Sequence, residues 1–580
     1  MNFLKANRIW LSGLILLVGW AVACTFGYII VSHGFIYDDR YLILQNPYLQ
    51  DWKNALLFFV RDVTQTSALE TTSGYYRPVS MVFLQVMFHA FELAAWKYHL
   101  VNLILHAANS ICVGMIALQV TKRERLSLLA AVIFALHPVH VEAIVSINCY
   151  MGLLAALFAL LATIFFALGK KSKRSFWLWL SITGYALSIF AKEEALFLPV
   201  ILFVIGRFLS SDSKTGNTRQ ELLDLIPWLT VAALYLLARH AFVASDAAFG
   251  FWEQNSQMNL KVPDSLTGKI AGVFLTYFGY IKLWFWPHPL SPFHVLAAPA
   301  TMDAWLIFIL MTGVISLIII ATFRIHFMRF AWLWFFVALL LVANFIPIGG
   351  MFSERLMYLP SVGLAWLSAY CLDALLRKTS QRVLRGLFLI LAIVLLGSSA
   401  ASAARYAWSW QSNDAMWRRA NQIYPNEPHP LSQMAKAFYD EGDLLSAASY
   451  YEKAAALESD AEAAIELRRK AAQSYGIKRQ FDRAIQQYKI ILARHPAYWL
   501  GWFELGWTHY VSGDFEGAKK IYNELLERNP GYPRALFGLA ELAFERGDSA
   551  AARALYDEAL RQQPDTILVQ LILKNLRNRT

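Results

Sequence analysis

Two adjacent carboxylates, Asp38 and Asp39, follow the first apolar run of the chain within a few residues, in the stretch Phe35-Ile36-Tyr37-Asp38-Asp39-Arg40. Side by side, they repel each other, which raises the proton affinity of one unless a cation intervenes. A carboxylate of raised basicity at the edge of a membrane is suited to taking a proton from an acceptor hydroxyl. The plainer reading is a solvated loop or a helix-capping pair, so the rest of the chain must decide between them.

Several further groups lie at the ends of apolar runs. Tyr76-Arg77-Pro78 offers a guanidinium whose planar fork matches phosphate oxygens. His99, Asn102 and His106 open one run, with the last two a helical turn apart. His137, His140 and Glu142 close another, Lys192, Glu193 and Glu194 cap the next pair, and Arg239 and Glu354-Arg355 mark two more exits. Singly, each is an interfacial anchor or a satisfied polar group. Carboxylates and cations near membrane depth are costly, however, and tend to mark function. So many on one side predict a shared polar site, with Asp38 and Asp39 as catalytic carboxylates. Arg77, His137, His140, Lys192, Arg239 and Arg355 are the candidates to hold a phosphate. Tyr76, His99, Asn102, His106, Glu142, Glu193, Glu194 and Glu354 are the supporting set.

The spacing of His137, His140 and Glu142 does not match the helical HExxH zinc arrangement, and Pro138 interrupts the helix. No metal site is predicted; a divalent cation held by Asp38 or Asp39 is allowed but not required. No phosphate-cradling GxxxxGK[ST] loop and no GxSxG elbow occur. The four cysteines, Cys24, Cys112, Cys149 and Cys371, are scattered in or beside apolar runs and predict no disulfide framework.

These groups have to be positioned by membrane helices. Only 16% of the 580 residues are charged and 57% are hydrophobic, against about 25% charged in an ordinary soluble domain. The net charge of +11 is read as Lys and Arg gathered in cytoplasmic loops, not as a nucleic-acid surface. Lys5 and Arg8 precede a first span near 9–31, read as an uncleaved anchor although Ala21-Val22-Ala23-Cys24 faintly resembles a lipoprotein box. A first external loop follows at 33–96, with an interfacial helix near 79–93. Further spans are expected near 99–120, 126–137, 151–168, 176–190, 195–208, 225–238, 304–323, 330–347, 359–376 and 386–403. The run 271–286 is read as membrane-dipping. The count is about 11 spans, with Thr121–Arg125, Lys170–Arg174, 207–224 and Arg377–Arg385 inside and the carboxylates outside. His137–Tyr150 is expected as an external loop.

After Arg405 the composition changes. Pro496, Pro530 and Pro564 recur every 34 residues (530−496, 564−530), in step with Ala484, Ala518 and Ala552 and with Tyr488, Tyr522 and Tyr556. Gly513 and Gly547 occupy the turn slot and Trp502-x-x-Leu505-Gly506 opens one unit. This is the tetratricopeptide pattern of paired helices. An earlier unit carries Gly442, Ala447, Tyr451 and Ala454. Four units are expected from Pro428 to Asp565, with a capping helix over 566–576. The chain then divides into a membrane domain at 1–405, a linker at 406–427 and a repeat domain at 428–580. Solenoids of this kind present a concave face to a protein or peptide.

Taken as an ordered set, Tyr37-Asp38-Asp39-Arg40, Tyr76-Arg77-Pro78, Tyr98-His99…Asn102…His106, Ala135…His137-Pro138-Val139-His140-Val141-Glu142-Ala143, Ala191-Lys192-Glu193-Glu194 and Glu354-Arg355-x-x-Tyr358-Leu359-Pro360-Ser361 resemble one family. It is the transmembrane-and-tetratricopeptide O-mannosyltransferases and their bacterial relatives, within the GT-C glycosyltransferases. The resemblance implies an all-α architecture, a polytopic GT-C-like membrane domain followed by a tetratricopeptide solenoid. It also implies a polyprenyl-phosphate-linked sugar donor, a protein hydroxyl as acceptor, and an acidic base in the first loop, where Asp38 takes the first position. The expected setting is a bacterial inner membrane with periplasmic repeats, no obligatory cofactor and no nucleic-acid partner. Two competing readings are an O-antigen-ligase or polymerase-like enzyme and a non-catalytic membrane scaffold. The former favours a late long loop, whereas here the long loop comes first; the latter has no need of so many ionisable groups at span exits.

Overall fold

The computed structural model describes residues 8–69, 73–210, 218–243, 260–261, 266–297, 302–340, 352–562 and 565–579. The chain forms two compact units, Met1–Arg419 and Ala420–Thr580. The division falls inside the stretch expected as a linker, 406–427, and residues up to Arg419 belong to the first unit.

In the first unit five helices are long and apolar enough to cross a membrane: Ile9–Ser32, Ala95–Thr121, Ile147–Ser172, Arg219–Phe242 and Arg382–Trp408. A sixth arises if Glu124–Leu136 and Pro138–Val145, bent by 50°, count as one span. Among the described residues this is fewer than about eleven. The other expected spans are helical where described, as at Ser175–Ala191, Leu198–Ser210 and His326–Leu339. Leu198–Ser210 and His326–Leu339 run up to residues outside the described set, whereas Ser175–Ala191, 17 residues long, rises roughly 26 Å at 1.5 Å per residue against a hydrocarbon core of about 30 Å. The expected ends at 341–347 and 349–351, the loop 211–217 and Pro564 lie outside the described residues. The run read as membrane-dipping is the 20-residue helix Leu266–Phe285, and the interfacial helix is Pro78–Phe91.

The stretch His137–Tyr150, expected on the external side, contains the short helices Pro138–His140 and Val141–Val145, in which every residue is buried. Pro138 lacks an N–H and cannot continue the preceding helix, and the His137 imidazole Nδ1 accepts the Val139 N–H at 3.3 Å. The chain therefore turns inward and carries Glu142 with it.

Small residues let these helices touch. A Cβ built on Gly363 would lie 2.2 Å from the Ala331 carbonyl oxygen, so Ser361–Lys378 and His326–Leu339 meet backbone to backbone there. The basic loops gather at one end of the unit. Buried Asp373 receives Arg125 at 2.8 Å, Arg377 at 2.9 Å and Arg123 at 3.7 Å. Lys170 pairs with Asp224 at 2.6 Å and Lys171 donates to the Gln119 carbonyl at 2.8 Å. Loops expected on one side of the bilayer are thus joined pairwise.

The second unit is built of four helix pairs, Pro428–Asp440 with Leu444–Leu457, Ala461–Ile477 with Phe481–Arg494, Trp499–Ser512 with Phe515–Arg528, and Pro533–Glu545 with Ser549–Arg561, then Thr566–Arg579. Ala484, Ala518, Ala552, Tyr488, Tyr522 and Tyr556 are all buried where the helices cross. Each pair turns through a left-handed residue: Gly442, Gly513 and Gly547 at φ between +80° and +88°, but Arg479 at φ +58° in the corresponding slot. The next residue caps the second helix. Asp443, Asp514 and Asp548 accept an N–H three residues on, whereas Gln480 makes no such bond. The second pair therefore departs twice from the Gly-Asp turn. Arg479→Gly with Gln480→Asp removes a left-handed side chain and adds a cap, each worth about 1 kcal/mol. The expected result is a higher unfolding midpoint for residues 420–580 in a denaturant titration followed by circular dichroism.

Candidate active site

The first loop is held from within by a carboxylate that carries no chemistry. Asp62 is fully buried and accepts N–H bonds from Ser73 at 2.5 Å, Gly74 at 2.7 Å and Gln65 at 2.9 Å, and hydroxyls from Thr64 at 3.0 Å and Ser73 at 3.2 Å. With Val63 N–H donating to the Tyr75 carbonyl at 3.0 Å, this hub brings Tyr75-Tyr76-Arg77 back beside the start of the loop. Tyr76 itself is buried, its hydroxyl donating to the Phe59 carbonyl at 2.8 Å.

The twin aspartates occupy different environments. Asp38 is half-buried, and the Asn148 side-chain amide donates to its Oδ2 at 3.3 Å. Asp39 is fully buried; its Oδ2 accepts the Ile36 N–H at 3.0 Å, and Oδ1 has no hydrogen-bond partner. Burial pushes the Asp39 carboxyl up to about 8, with the Asp38 charge a smaller contribution in the same direction. Desolvation, more than the mutual repulsion inferred from adjacency, separates the pair.

Asp38 also lies within the electrostatic surroundings of Arg355. Burial works against its charge, but Glu142, Cys149, Asp38 and Tyr37 around it outweigh that and raise its proton affinity. Its place is fixed by Glu142, which is 3% exposed. Glu142 accepts the Ser353 hydroxyl on both oxygens at 2.8 and 2.7 Å, the Arg355 N–H at 2.9 Å and the Arg355 guanidinium at 3.5 Å. Tyr75 joins the same field: burial raises its hydroxyl, while Arg77, Glu193, Arg355 and Asp38 act on it. The structure thus brings Asp38, Arg355, Glu142, Arg77 and Glu193 into one electrostatic cluster.

Arg77 is committed within that cluster. Its Nε and Nη2 donate to the two Glu193 oxygens at 2.9 and 2.5 Å, and its guanidinium lies 4.3 Å from the Tyr75 ring centre. Burial raises the Glu193 carboxyl, but the Arg77 charge and hydrogen bonds outweigh it and hold it at about 2. This depressed carboxyl stabilises the fold fully above its ordinary value of 4.5 and loses that contribution as pH falls through about 2. Glu193→Gln strips the charge from the fork and is expected to lower stability by about 2 kcal/mol near neutral pH, with the deficit closing on acidification, as read from thermal unfolding of detergent-solubilised protein. Lys192 pairs with Glu194, and the two belong to the same electrostatic surroundings as Arg355, Lys192 acting on Cys149 and Glu194 on Tyr280 as Arg355 does.

Two of the expected phosphate ligands, His137 and His140, are engaged elsewhere, which corrects their role. His137 stacks on Trp284 with ring centres 3.8 Å apart and bonds its carbonyl at 2.9 Å. His140 is fully buried, with Nδ1 at the Phe134 carbonyl and Nε2 at the Ser361 hydroxyl, both 2.8 Å. With both ring nitrogens spent inside the fold, neither imidazole is placed to hold a donor phosphate. His106 likewise joins the Ala135 carbonyl to the Tyr358 hydroxyl, and Asn102 donates to the Ile144 and Ser146 carbonyls. His99 reaches the Gly34 carbonyl at 3.3 Å. These side chains tie the loops to the helices. Glu354 points away from Arg355, accepting Ser291 N–H at 2.9 Å and pairing with His294 at 2.8 Å, and burial raises its carboxyl. Arg239 donates to the Gly74 carbonyl at 3.2 Å, at the edge of the cluster. Ser353, Asn148 and Tyr75 were not singled out as site residues from sequence, since a lone Ser, Asn or Tyr carries no spacing signal. Among the described residues no three His, Cys, Asp or Glu side chains converge as metal ligands.

A tetratricopeptide repeat model matches residues 469–518 and 503–566. The human protein O-mannosyl-transferase TMTC3 is 23% identical over 488 residues, covering 77% of this chain and 51% of its own length. Human protein O-mannosyl-transferase TMTC4 is 25% identical over 490 residues, covering 72% and 63%. The chain therefore spans about half to two thirds of the length of these two relatives. Among solved structures, YrrB, described as a tetratricopeptide protein with an unusual peptide-binding site, covers 32% of this chain and 91% of its own at 16% identity and a TM-score of 0.23.

Proposed function

We propose that the first unit is a membrane glycosyltransferase that moves a sugar, mannose by analogy with the names of its relatives, from a polyprenyl-phosphate donor to a protein hydroxyl. The observation that carries this is a half-exposed carboxylate in the electrostatic surroundings of a guanidinium fixed by Glu142: Asp38 from the first loop acts on Arg355 from a late one. Such a pair supplies both ends of a displacement. Asp38 removes the acceptor hydroxyl proton as the oxygen forms a bond to the anomeric carbon, and the bond from that carbon to the phosphate oxygen breaks. The leaving electron pair stays on the lipid phosphate, whose charge Arg355 and Lys192 stabilise. One displacement inverts the anomeric centre, and because the leaving group is already a phosphate no metal step is required.

The reaction is assigned to the external face, because the basic loops joined through Asp373 carry the Lys and Arg excess expected of the cytoplasmic side. In a bacterial cell this is the inner membrane, with the repeats in the periplasm engaging the acceptor protein. Purified protein in nanodiscs, supplied with radiolabelled polyprenyl-phosphate mannose and periplasmic proteins, is expected to yield labelled protein that β-elimination releases as an O-linked sugar. Label remaining wholly in lipid, with folded protein present, overturns the reading.

A further inference from the structure

Tyr37, the residue before the twin aspartates, has φ +52°, in the left-handed region that side chains with a Cβ rarely enter. Such a conformation persists only where surroundings over-determine it, and such sites cluster at functional positions. Here two contacts hold it, both from a segment about 376 residues away. The Tyr37 N–H donates to Asn413 Oδ1 at 2.8 Å, and the Tyr37 ring lies edge-on to Trp417 with centres 5.7 Å apart. Asn413 is the first residue of the helix Asn413–Ile423, and Trp417 is one turn further on the same face.

The turn that follows depends on this conformation. Asp39 N–H returns to the Ile36 carbonyl at 3.1 Å, Ile36 N–H reaches Asp39 Oδ2 at 3.0 Å, and Tyr41 and Leu42 N–H groups close on the Asp38 carbonyl at 3.1 and 3.0 Å. With Tyr37 in the extended region, the chain direction into Asp38 would change and this set of bonds could not form together.

We propose that Asn413 and Trp417 are positioning residues: they lock Tyr37 in its left-handed conformation and so aim the Asp38 carboxyl at the reacting hydroxyl. This rests on the function proposed above and extends it to a juxtamembrane segment that no catalytic motif touches. Misplacing a reacting group by about an ångström costs on the order of 100-fold in rate. Lost aim is therefore read in turnover and not in donor affinity.

The test compares wild-type protein, Asn413→Ser, Asn413→Asp and Trp417→Phe in the nanodisc transfer assay, with thermal midpoints recorded for each. Serine is accepted at a helix start, but its hydroxyl is one atom short of the Tyr37 N–H. Asn413→Ser is expected to lose at least tenfold in kcat, with donor KM within about twofold and a midpoint close to wild type. Asn413→Asp keeps the acceptor oxygen and Trp417→Phe keeps the ring contact, so both are expected to retain most turnover. If Asn413→Ser turns over like wild type, or if Asn413→Asp fails equally while folded, the lock is disproved while the proposed function stands. If Asn413→Ser falls only in midpoint and its activity per folded molecule is unchanged, the contact is structural and the proposal also fails. A wild-type protein that transfers no sugar removes the underlying function instead.

Discussion

Asp38→Asn is expected to abolish sugar transfer, with a loss of at least about 100-fold, while Asp39→Asn retains most of it. A positioned general base contributes on the order of 10²–10⁴ in rate, and an amide of the same shape cannot take up the proton. The two carboxylates are adjacent in sequence, yet only Asp38 is half-exposed and within the field of Arg355. Asp39 is enclosed, its proton held up to about 8 by burial. An asparagine there reproduces the protonated acid: its carbonyl oxygen can accept the Ile36 N–H as Oδ2 now does, and its NH2 group takes the place of the oxygen that has no partner. The pH dependence separates the two roles further. A carboxyl raised from 3.8 to about 8 gives stability that is complete below the lower value and is lost as pH rises through the upper one. Asp39→Asn is thus expected to flatten a fall in thermal stability that the wild type shows between about pH 4 and about pH 8, with no further loss from this group above that. Equal inactivation of the two asparagine variants, with both folded, would sink the division of labour.

The sequence displays some of these parts and hides others for physical reasons. Helix pairs of the second unit are legible because each repeats a rule every 34 residues, with alanine and tyrosine at the crossing and glycine at the left-handed turn. The acidic pair is legible because carboxylates are scarce beside apolar runs. Side-chain direction is not. His137 and His140 carry the residue type expected of a phosphate site, but Pro138 turns the chain inward and their nitrogens are consumed by Trp284, Phe134 and Ser361. Glu142 and Glu354 look alike as lone acids, yet one grips Arg355 and the other grips His294. Asn413 and Trp417 leave no trace at all, since their meaning comes from a residue about 376 positions earlier. Among the described residues five helices are long and apolar enough to cross a membrane, and several of the other expected spans run into residues outside that set.

Arg355→Ala is expected to cost on the order of 10²–10³ in kcat, the range seen when one donor to a developing anion is removed. Arg355→Lys recovers only part of it, because an ammonium lacks the planar fork that meets two phosphate oxygens at once. The more discriminating variant is Glu142→Gln. Glutamine can still accept the Ser353 hydroxyl or the Arg355 N–H, but it has one carbonyl oxygen where Glu142 uses two, and it withdraws the charge that faces the guanidinium at 3.5 Å. With its partner neutral, the half-buried Arg355 is left beside Cys149, Tyr37 and Asp38 and is expected to be drawn toward the Asp38 carboxylate. That movement has two consequences of opposite appearance. The donor phosphate loses its cation, so donor KM rises; and Asp38, now paired with a cation, becomes a weaker base, so the acidic limb of the kcat profile moves to lower pH while its plateau drops. A purely structural role for Glu142 predicts a lower thermal midpoint with KM and the acidic limb unmoved. Measuring kcat and donor KM from pH 5 to 9 on wild type and Glu142→Gln decides between these outcomes, and an unshifted limb with unchanged KM would remove Arg355 from the proposed phosphate site.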